Sequence, residues 1–283
     1  MAGSSDRGSA EADLEAYFHR IGYSGTRGAT FETLTAIHFR HPQAIAFETL
    51  DPLLRRPIEL TPAALMRKLV ESGRGGWCFE HNLLLGDVLR ALGFHVTGLA
   101  ARVLWNAADE NAPRPRSHML LLVSSLQGQR YIADVGFGGV TLTAPLLLTP
   151  GLEQATPHET FRLLEPEQGL FVLQARVSAA WKSVYSFDLQ AQLRPDYEVS
   201  SWHLENHPQS PFANRLMVAR AAPDRRYALL NNRLSTHYMD GTSSDHVTIE
   251  SIAEMLRVLR EVFQIRLPQD PALERVLAGF VRS

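Results

Sequence analysis

The stretch Arg74-Gly75-Gly76-Trp77-Cys78-Phe79-Glu80 concentrates features that chemistry could use. A glycine pair is followed by an aromatic residue and the only cysteine of the chain, at the start of a segment with helical periodicity. The first turn of a helix carries unpaired N–H groups and the positive end of the dipole. Both favour a thiolate, and helix N-termini are among the places where a cysteine pKa falls from about 8.5 to roughly 3.5–7.5. Glycines there let the backbone approach a substrate closely. Taken alone, Cys78 also fits a small buried hydrophobe, as most lone cysteines do.

A thiolate needs a base or an imidazolium partner. The chain has 11 histidines, and His118 is singled out with Asp134 because the two flank a hairpin-like turn. Position 126 lies halfway between 118 and 134, so a loop of about Ser124 to Gly128 makes them direct cross-strand neighbours. Their Cβ atoms then lie about 5 Å apart. Asp134 could accept from the imidazole and fix its tautomer. The flanking residues 119–123 and 131–135 are largely apolar, so these polar side chains need each other or another partner. The same pattern fits a buried His–Asp pair that only ties two strands together. Gly136-Phe137-Gly138-Gly139 follows directly, a turn able to cradle an anion with its N–H groups, though glycine turns at strand ends are common. Arg114 and Arg116 either meet phosphates or belong to a solvated loop. Glu48, in the apolar segment Ala44 to Leu50, either pairs with Arg74 beneath the cysteine loop or is an exposed carboxylate.

The elements that must position these residues fall in blocks. Leu14, Tyr17, Phe18 and Ile21 recur at helical steps and Gly22 stops them. Thr61-Pro62 starts a second helix with Leu65, Met66, Leu69 and Val70 on one face. A third runs from about Phe79 to Leu92, with Gly93 after its end. From His95 the pattern turns strand-like: Val96 to Trp105, Ser117 to Ser124, Gln129 to Val135, Leu170 to Val177 and Ser183 to Leu193. Such a run of antiparallel strands predicts a barrel or a sandwich. Glu198 to Pro211 reads as irregular, followed by short strands (Arg215 to Arg220, Tyr227 to Leu230) and a helix opened by Ser251 and Glu254.

Composition excludes several classes. The 283 residues carry a net charge of −2, with 45% hydrophobic and 20% charged residues. That balance suits a globular protein and gives no electrostatic grip on nucleic acid or an anionic membrane. No apolar run is long enough for a bilayer, and Met1 to Glu11 lacks the apolar core of a secretory signal. One cysteine permits no internal disulfide and no cysteine-rich zinc site, which favours a cytoplasmic location and no bound metal.

The blocks Arg-Gly-Gly-Trp-Cys-Phe-Glu-His-Asn (74–82), Ser-His-Met-Leu-Leu-Leu-Val (117–123) and Ala-Asp-Val-Gly-Phe-Gly-Gly (133–139) together resemble the signature blocks of the arylamine N-acetyltransferases. Tyr17 to Tyr23, Ile45 to Asp51, and Ser210-Pro211-Phe212 through Asn232 are similar to further family segments, so the resemblance covers nearly the whole chain. It implies an α+β fold with a cysteine-protease-like core. The expected parts are a tail over 1–10, a helical domain over 11–94, an antiparallel β-barrel over 95–200 and an α/β lid over 201–283. It implies Cys78, His118 and Asp134 as a catalytic triad, and Phe47, Phe137 and Phe212 as the lining of the acyl and acceptor pocket. Ser117, Gly138 and Gly139 match coenzyme-contacting segments, and Glu48 with Arg74 matches a supporting ion pair. Acetyl-CoA is the implied donor, and small arylamines, hydrazines or arylhydroxylamines the acceptors. Ala46, Thr49 and Trp77 depart from the family pattern, which bears on acceptor preference rather than on the chemistry. A transglutaminase-like enzyme or a cysteine hydrolase shares the Cys…His…Asp order and is the alternative; a thiol that serves only as a sensor is a third.

Overall fold

In a computed structural model of the chain, residues 5–126, 128–239 and 244–281 are described. Helices α1 (Ser5–Ile21) and α2 (Phe31–Ala44) open the chain, followed by the short strand β1 (Phe47–Glu48) and the single turns α3 (Leu50–Leu53) and α4 (Pro62–Leu65). Residues 1–10 read as a tail, yet the helix already runs from Ser5, and 1–4 lie outside the described residues. Ala10, Glu11 and Ala12 are good helix formers, so the helix extends beyond the apolar stripe that periodicity detects. Thr61 caps α4 through Ala64 N, and the helix then widens into a π-helical turn over Met66–Glu71. Helix α5 (Cys78–Ala91) is buried along almost its whole length. It packs Phe79, Leu83, Leu84, Leu85 and Val88 into one core with α1, α2 and the outer, helix-facing side of the strands that follow.

Eight antiparallel strands form the second layer, in the order β5-β4-β3-β2-β9-β8-β7-β6. They are β2 (His95–Val103), β3 (His118–Leu126), β4 (Gln129–Ala133), β5 (Leu146–Leu147), β6 (Glu153–Ala155), β7 (Thr160–Glu167), β8 (Leu170–Val177) and β9 (Ala180–Phe187). The sheet curls until its edges meet. Gln154 of β6 accepts from Leu147 N at 2.7 Å and donates to Leu147 O at 3.0 Å on β5. The barrel interior is filled by Leu99, Leu120, Ile132, Phe161, Leu173 and Tyr185 among others.

The chain then leaves the barrel earlier than the sequence pattern predicts. Strand β9 stops at Phe187, short of the expected Leu193, and Arg194–Asn206 is helix α6 where an irregular stretch is expected from Glu198. Pro195 stands in its first turn, Asp196 accepts from Leu193 N at 2.7 Å, and only Tyr197, Ser201 and Leu204 are buried. With so few inward residues, the amphipathic signal is too thin to register. After the turn α7 (Pro211–Asn214), strands β10 (Met217–Ala222), β11 (Arg225–Leu230), β12 (Arg233–Tyr238) and β13 (Asp245–Thr248) make a second sheet, followed by α8 (Ile252–Glu261) and α9 (Leu273–Val281). Its order is β1-β10-β11-β12-β13, so the N-terminal strand completes the C-terminal sheet. Thr49 strengthens that seam, donating to Arg215 O and accepting from Met217 N, both at 3.0 Å. No described helix is long and apolar enough to cross a membrane.

Candidate active site

Cys78 is the first residue of α5 and is 4% exposed. What holds it there is a chain of charges. Glu80 accepts from Trp77 N at 3.0 Å, capping the helix start. Glu80 also pairs with Lys68 (2.6 Å), Lys68 with Asp51 (2.7 Å), Asp51 with Arg74 (3.0 Å) and Arg74 with Glu48 (2.6 Å). Of the two readings of Glu48, the ion pair with Arg74 is the one present, and the sequence pattern missed Asp51, Lys68 and Glu80 in the same network. The π-helical turn is where Lys68 sits, and widened turns of this kind recur at functional sites. Burial pushes the Glu80 carboxyl up, partly offset by Lys68, whereas Lys68 and Arg74 outweigh burial and hold Asp51 down.

His118 opens β3 and Asp134 follows β4. Their relation differs from the expected one. The ladder pairs Leu121 with Ala133 and Val123 with Tyr131, and an irregularity between Val123 and Leu126 shifts the hairpin. Continuing that register sets Asp134 opposite Leu120, so His118 and Asp134 are diagonal neighbours on one face instead of direct partners. Diagonal Cβ atoms lie about 7–8 Å apart, a gap that an imidazole spans. His118 Nε2 meets Asp134 Oδ2 at 2.7 Å, with the two residues 3% and 0% exposed. That leaves the other ring nitrogen for Cys78, which lies close enough to act on the charge of this histidine. Cys78 Sγ also points at Ser117 O, 3.8 Å away.

Burial alone would push the His118 pKa down, but the Asp134 charge, its hydrogen bond and the neighbouring Cys78 win and raise it to about 10. Asp134 is correspondingly held below the usual carboxylate range by His118, Asn82 and the Gly136 N–H, against its burial. Asn82 donates to Asp134 Oδ1 at 2.9 Å and to Met119 O at 2.7 Å, and accepts from Val135 N at 3.0 Å. Gly136 N donates to Asp134 Oδ1 at 2.9 Å, and Asp134 N donates to His38 Nε2 at 3.1 Å. The Tyr185 hydroxyl lies close enough to feel the Asp134 charge yet makes no hydrogen bond with it. Sequence reasoning named neither Asn82, His38 nor Tyr185. For Asn82 a signal existed: it stands one helical turn after Cys78, at the i,i+4 step that places two side chains on one face.

These groups open into a cavity of about 460 Å³ lined by Cys78, Ser117, His118, Phe47, Phe137 and Phe212 together with Gly138 and Gly139. All the residues expected at the pocket and the glycine turn therefore converge on one space. Glycine is required at two points of that turn. A Cβ at Gly136 would stand 2.8 Å from Cys78 Cα, and Gly138 has φ +85° with Phe47 against its open side. Arg114 and Arg116 do not join them: Arg114 donates to Asp109 O and Arg116 pairs with Asp188. Strands β10 to β12 supply a wall the sequence pattern did not foretell, with Met217, Ala219, Ala228 and Leu230 facing inward.

A family model described as N-acetyltransferase matches residues 30–272. The arylamine N-acetyltransferase of Mycobacterium tuberculosis is 42% identical over 257 residues, covering 90% of each chain. The chain belongs to the arylamine N-acetyltransferase family. Among other members, the arylamine N-acetyltransferase / N-hydroxyarylamine O-acetyltransferase of Salmonella typhimurium is 39% identical over 88% of each chain. The structure of the Mycobacterium marinum arylamine N-acetyltransferase in complex with CoA superposes with a TM-score of 0.89 at 37% identity, over 95% of this chain and 98% of that one. The barrel and the α+β architecture are thus those of the arylamine N-acetyltransferases. Among the described residues no group of three or more His, Cys, Asp or Glu side chains could hold a metal ion.

Proposed function

We propose that the protein transfers an acetyl group from acetyl-CoA to small aromatic amines, hydrazines or arylhydroxylamines through an acetyl-Cys78 intermediate. The observation that carries this is Cys78 beside His118, with Asp134 bonded behind the imidazole at 2.7 Å, at a cavity walled by aromatic rings. A second cavity of about 590 Å³ shares Trp105, Gly139, Val140 and Ala228 with the first, which suits a long donor running past the glycine turn.

In the first half, Cys78 sulfur attacks the thioester carbonyl, the bond from carbon to the coenzyme sulfur breaks, and protonated His118 gives its proton to the departing thiolate. In the second half, the amine nitrogen attacks the acetyl carbonyl on Cys78. Neutral His118 takes the amine proton and the Cys78 thiolate leaves, restoring the ion pair. Asp134 stabilises the imidazolium and fixes its orientation throughout. The Cys78 N–H, first in its helix, is a donor for the oxyanion of both tetrahedral intermediates. A reducing compartment such as the cytoplasm suits the enzyme, because its single cysteine has to remain a thiol.

Incubation with acetyl-CoA and no amine tests the reading. Intact-protein mass spectrometry should show one added acetyl group, on Cys78, and plots against the two substrates should be parallel. Cys78→Ala should fold and lose both. Intersecting plots with no acetylated protein would mean direct attack of the amine on acetyl-CoA, and the intermediate would have to be abandoned.

A further inference from the structure

Behind the site lies a chain of buried neutral groups that the transfer mechanism does not use. Tyr17 OH on α1 meets His41 Nδ1 on α2 at 2.8 Å, and His41 Nε2 meets His81 Nδ1 on α5 at 2.9 Å. His81 Nε2 then faces two backbone oxygens, Gly76 O at 3.0 Å and Ala46 O at 3.2 Å. All three side chains are fully buried. Carbonyl oxygens only accept, so His81 Nε2 carries the hydrogen and, in a neutral ring, Nδ1 is a lone pair. That lone pair requires N–H on His41 Nε2, which in turn leaves His41 Nδ1 to accept from the Tyr17 hydroxyl. Burial keeps both rings neutral: it holds His41 well below the usual histidine range and His81 down at about 4. Every link therefore points one way, from Tyr17 to the two carbonyls.

Those carbonyls belong to one short parallel bridge. Gly76 N donates to Ala46 O at 3.2 Å and Glu48 N to Gly76 O at 2.9 Å, pairing Phe47 with Gly76. The bridge fixes Phe47, whose ring lies 6.4 Å from that of Phe212 in the cavity wall. Cys78 is held separately, by the Glu80 cap on Trp77 N.

We propose that Tyr17, His41 and His81 are positioning residues for the acceptor pocket: their one-way hydrogen-bond chain sets His81 to clamp Ala46 O and Gly76 O, and so places the Phe47 ring. This rests on the function proposed above for its kinetic consequences but not for the tautomers. If the chain ran the other way, the His81 Nε2 lone pair would face two carbonyl oxygens and push the bridge open. The carbonyls set the direction; removing the hydroxyl at the far end leaves the His41 Nδ1 lone pair buried without a donor and loosens the chain there.

The test has two arms. Long-range 1H–15N spectra of the full-length protein with 15N-labelled histidine, at pH 7, should show His41 and His81 neutral with the hydrogen on Nε2. Tyr17→Phe should keep the hydrogen on His81 Nε2, shift the 15N signal of the undonated His41 Nδ1, and raise KM for an arylamine about fivefold to tenfold, the scale of one buried hydrogen bond. The rate at which acetyl-CoA acetylates Cys78 should stay within about twofold. His81→Gln, which keeps one N–H toward the carbonyls, should retain more of the wild-type KM than His81→Phe. Wild-type spectra with His81 protonated on Nδ1 would overturn the proposal, whether or not any variant folds. So would a Tyr17→Phe protein with unchanged amine KM, or with donor and acceptor steps slowed equally. A wild-type protein that never acetylates Cys78 would instead sink the proposed function and leave the tautomer result standing.

Discussion

Replacing Asp134 with asparagine changes one atom in a site with no slack. Asp134 Oδ1 accepts from Asn82 Nδ2 and Gly136 N, each at 2.9 Å, so the asparagine oxygen must take that side. The new NH2 group then faces His118 Nε2, where the carboxylate oxygen stood 2.7 Å away. Two N–H groups cannot point at each other there, so the imidazole has to accept at Nε2 and carry its hydrogen on the nitrogen toward Cys78. In that tautomer it can neither form the imidazolium that faces the sulfur nor take a proton from the amine. The equivalent change in a serine triad lowers kcat about 10⁴-fold by the same tautomer error, and Asp134→Asn should lose about that much in the acetylation step. Breaking one side of a buried pair typically destabilises by about 3–5 kcal/mol, so the melting temperature should be measured on the same sample. Stopped-flow release of CoA under single-turnover conditions reads the acetylation step. A folded Asp134→Asn protein that acetylates at near the wild-type rate would refute the claim that Asp134 sets the His118 tautomer.

The other expected outcomes use different handles. His118 is raised from the ordinary histidine value to about 10 and Asp134 lowered. Their contribution is therefore full between the unfolded values of about 4 and 6.5. It is lost as pH falls below about 4, and declines as pH rises from 6.5 through 10. His38, His41 and His81 are shifted down by burial, so below pH 6.5 the unfolded chain binds more protons and stability falls. Three such groups give a limiting acid slope of about 4 kcal/mol per pH unit against about 1.4 on the alkaline side, so denaturant midpoints at pH 5, 7 and 9 should fall more steeply toward pH 5; equal slopes would contradict it. Gly138→Val, with φ +85° and Phe47 in contact, should raise KM for acetyl-CoA more than that for the amine in initial-rate measurements. Gly136→Ala drives a methyl to 2.8 Å from Cys78 Cα and should reduce kcat at least tenfold by moving the nucleophile, as a titration of acetylated protein can show.

The sequence made the site legible where residue type and local spacing coincide. Cys78 follows two glycines at a helix start, and α5 begins at that residue. The strands carrying His118 and Asp134 could be placed from alternation alone, but their register could not. The ladder of Leu121 with Ala133 is centred one residue later than the expected 126, a displacement that leaves no mark in the apolar pattern and turns direct partners into diagonal ones. The wall from β10 to β12 was invisible because Met217, Ala219 and Ala228 acquire their role only when β1 joins the C-terminal sheet, 170 residues away in the chain for Phe47 and Met217 (217 − 47). Of the Glu80–Lys68–Asp51–Arg74–Glu48 network only the Glu48–Arg74 pair was legible, as one of two readings, and the rest was missed for a related reason. Its members are spread from 48 to 80, and charges of either sign in helices usually read as solvated faces.

The two halves of the triad are supported by different kinds of partner, and electrostatics explains the division. The Cys78 loop is held by ion pairs, with Glu80 buried at the helix start and balanced by Lys68. Apart from His118 itself, Asp134 is held by uncharged donors, Asn82 and the Gly136 N–H. A lysine or arginine in the place of Asn82 would also steady the carboxylate. It would, however, repel the imidazolium in a low-dielectric interior, where charges act strongly over several ångströms. It would also share the negative charge that lifts His118 to about 10. A neutral amide orients Asp134 and leaves its charge to one partner. Asn82 does a second task at no electrostatic penalty, because the same side chain bonds Met119 O on β3 and Val135 N just after β4. It stands one turn after Cys78 on the same helix. The nucleophile and its base, carried by separate layers of the fold, are therefore locked together by a group that does not itself titrate. The protonation of His118 is then decided by Asp134 and by whatever charge the sulfur bears at each step.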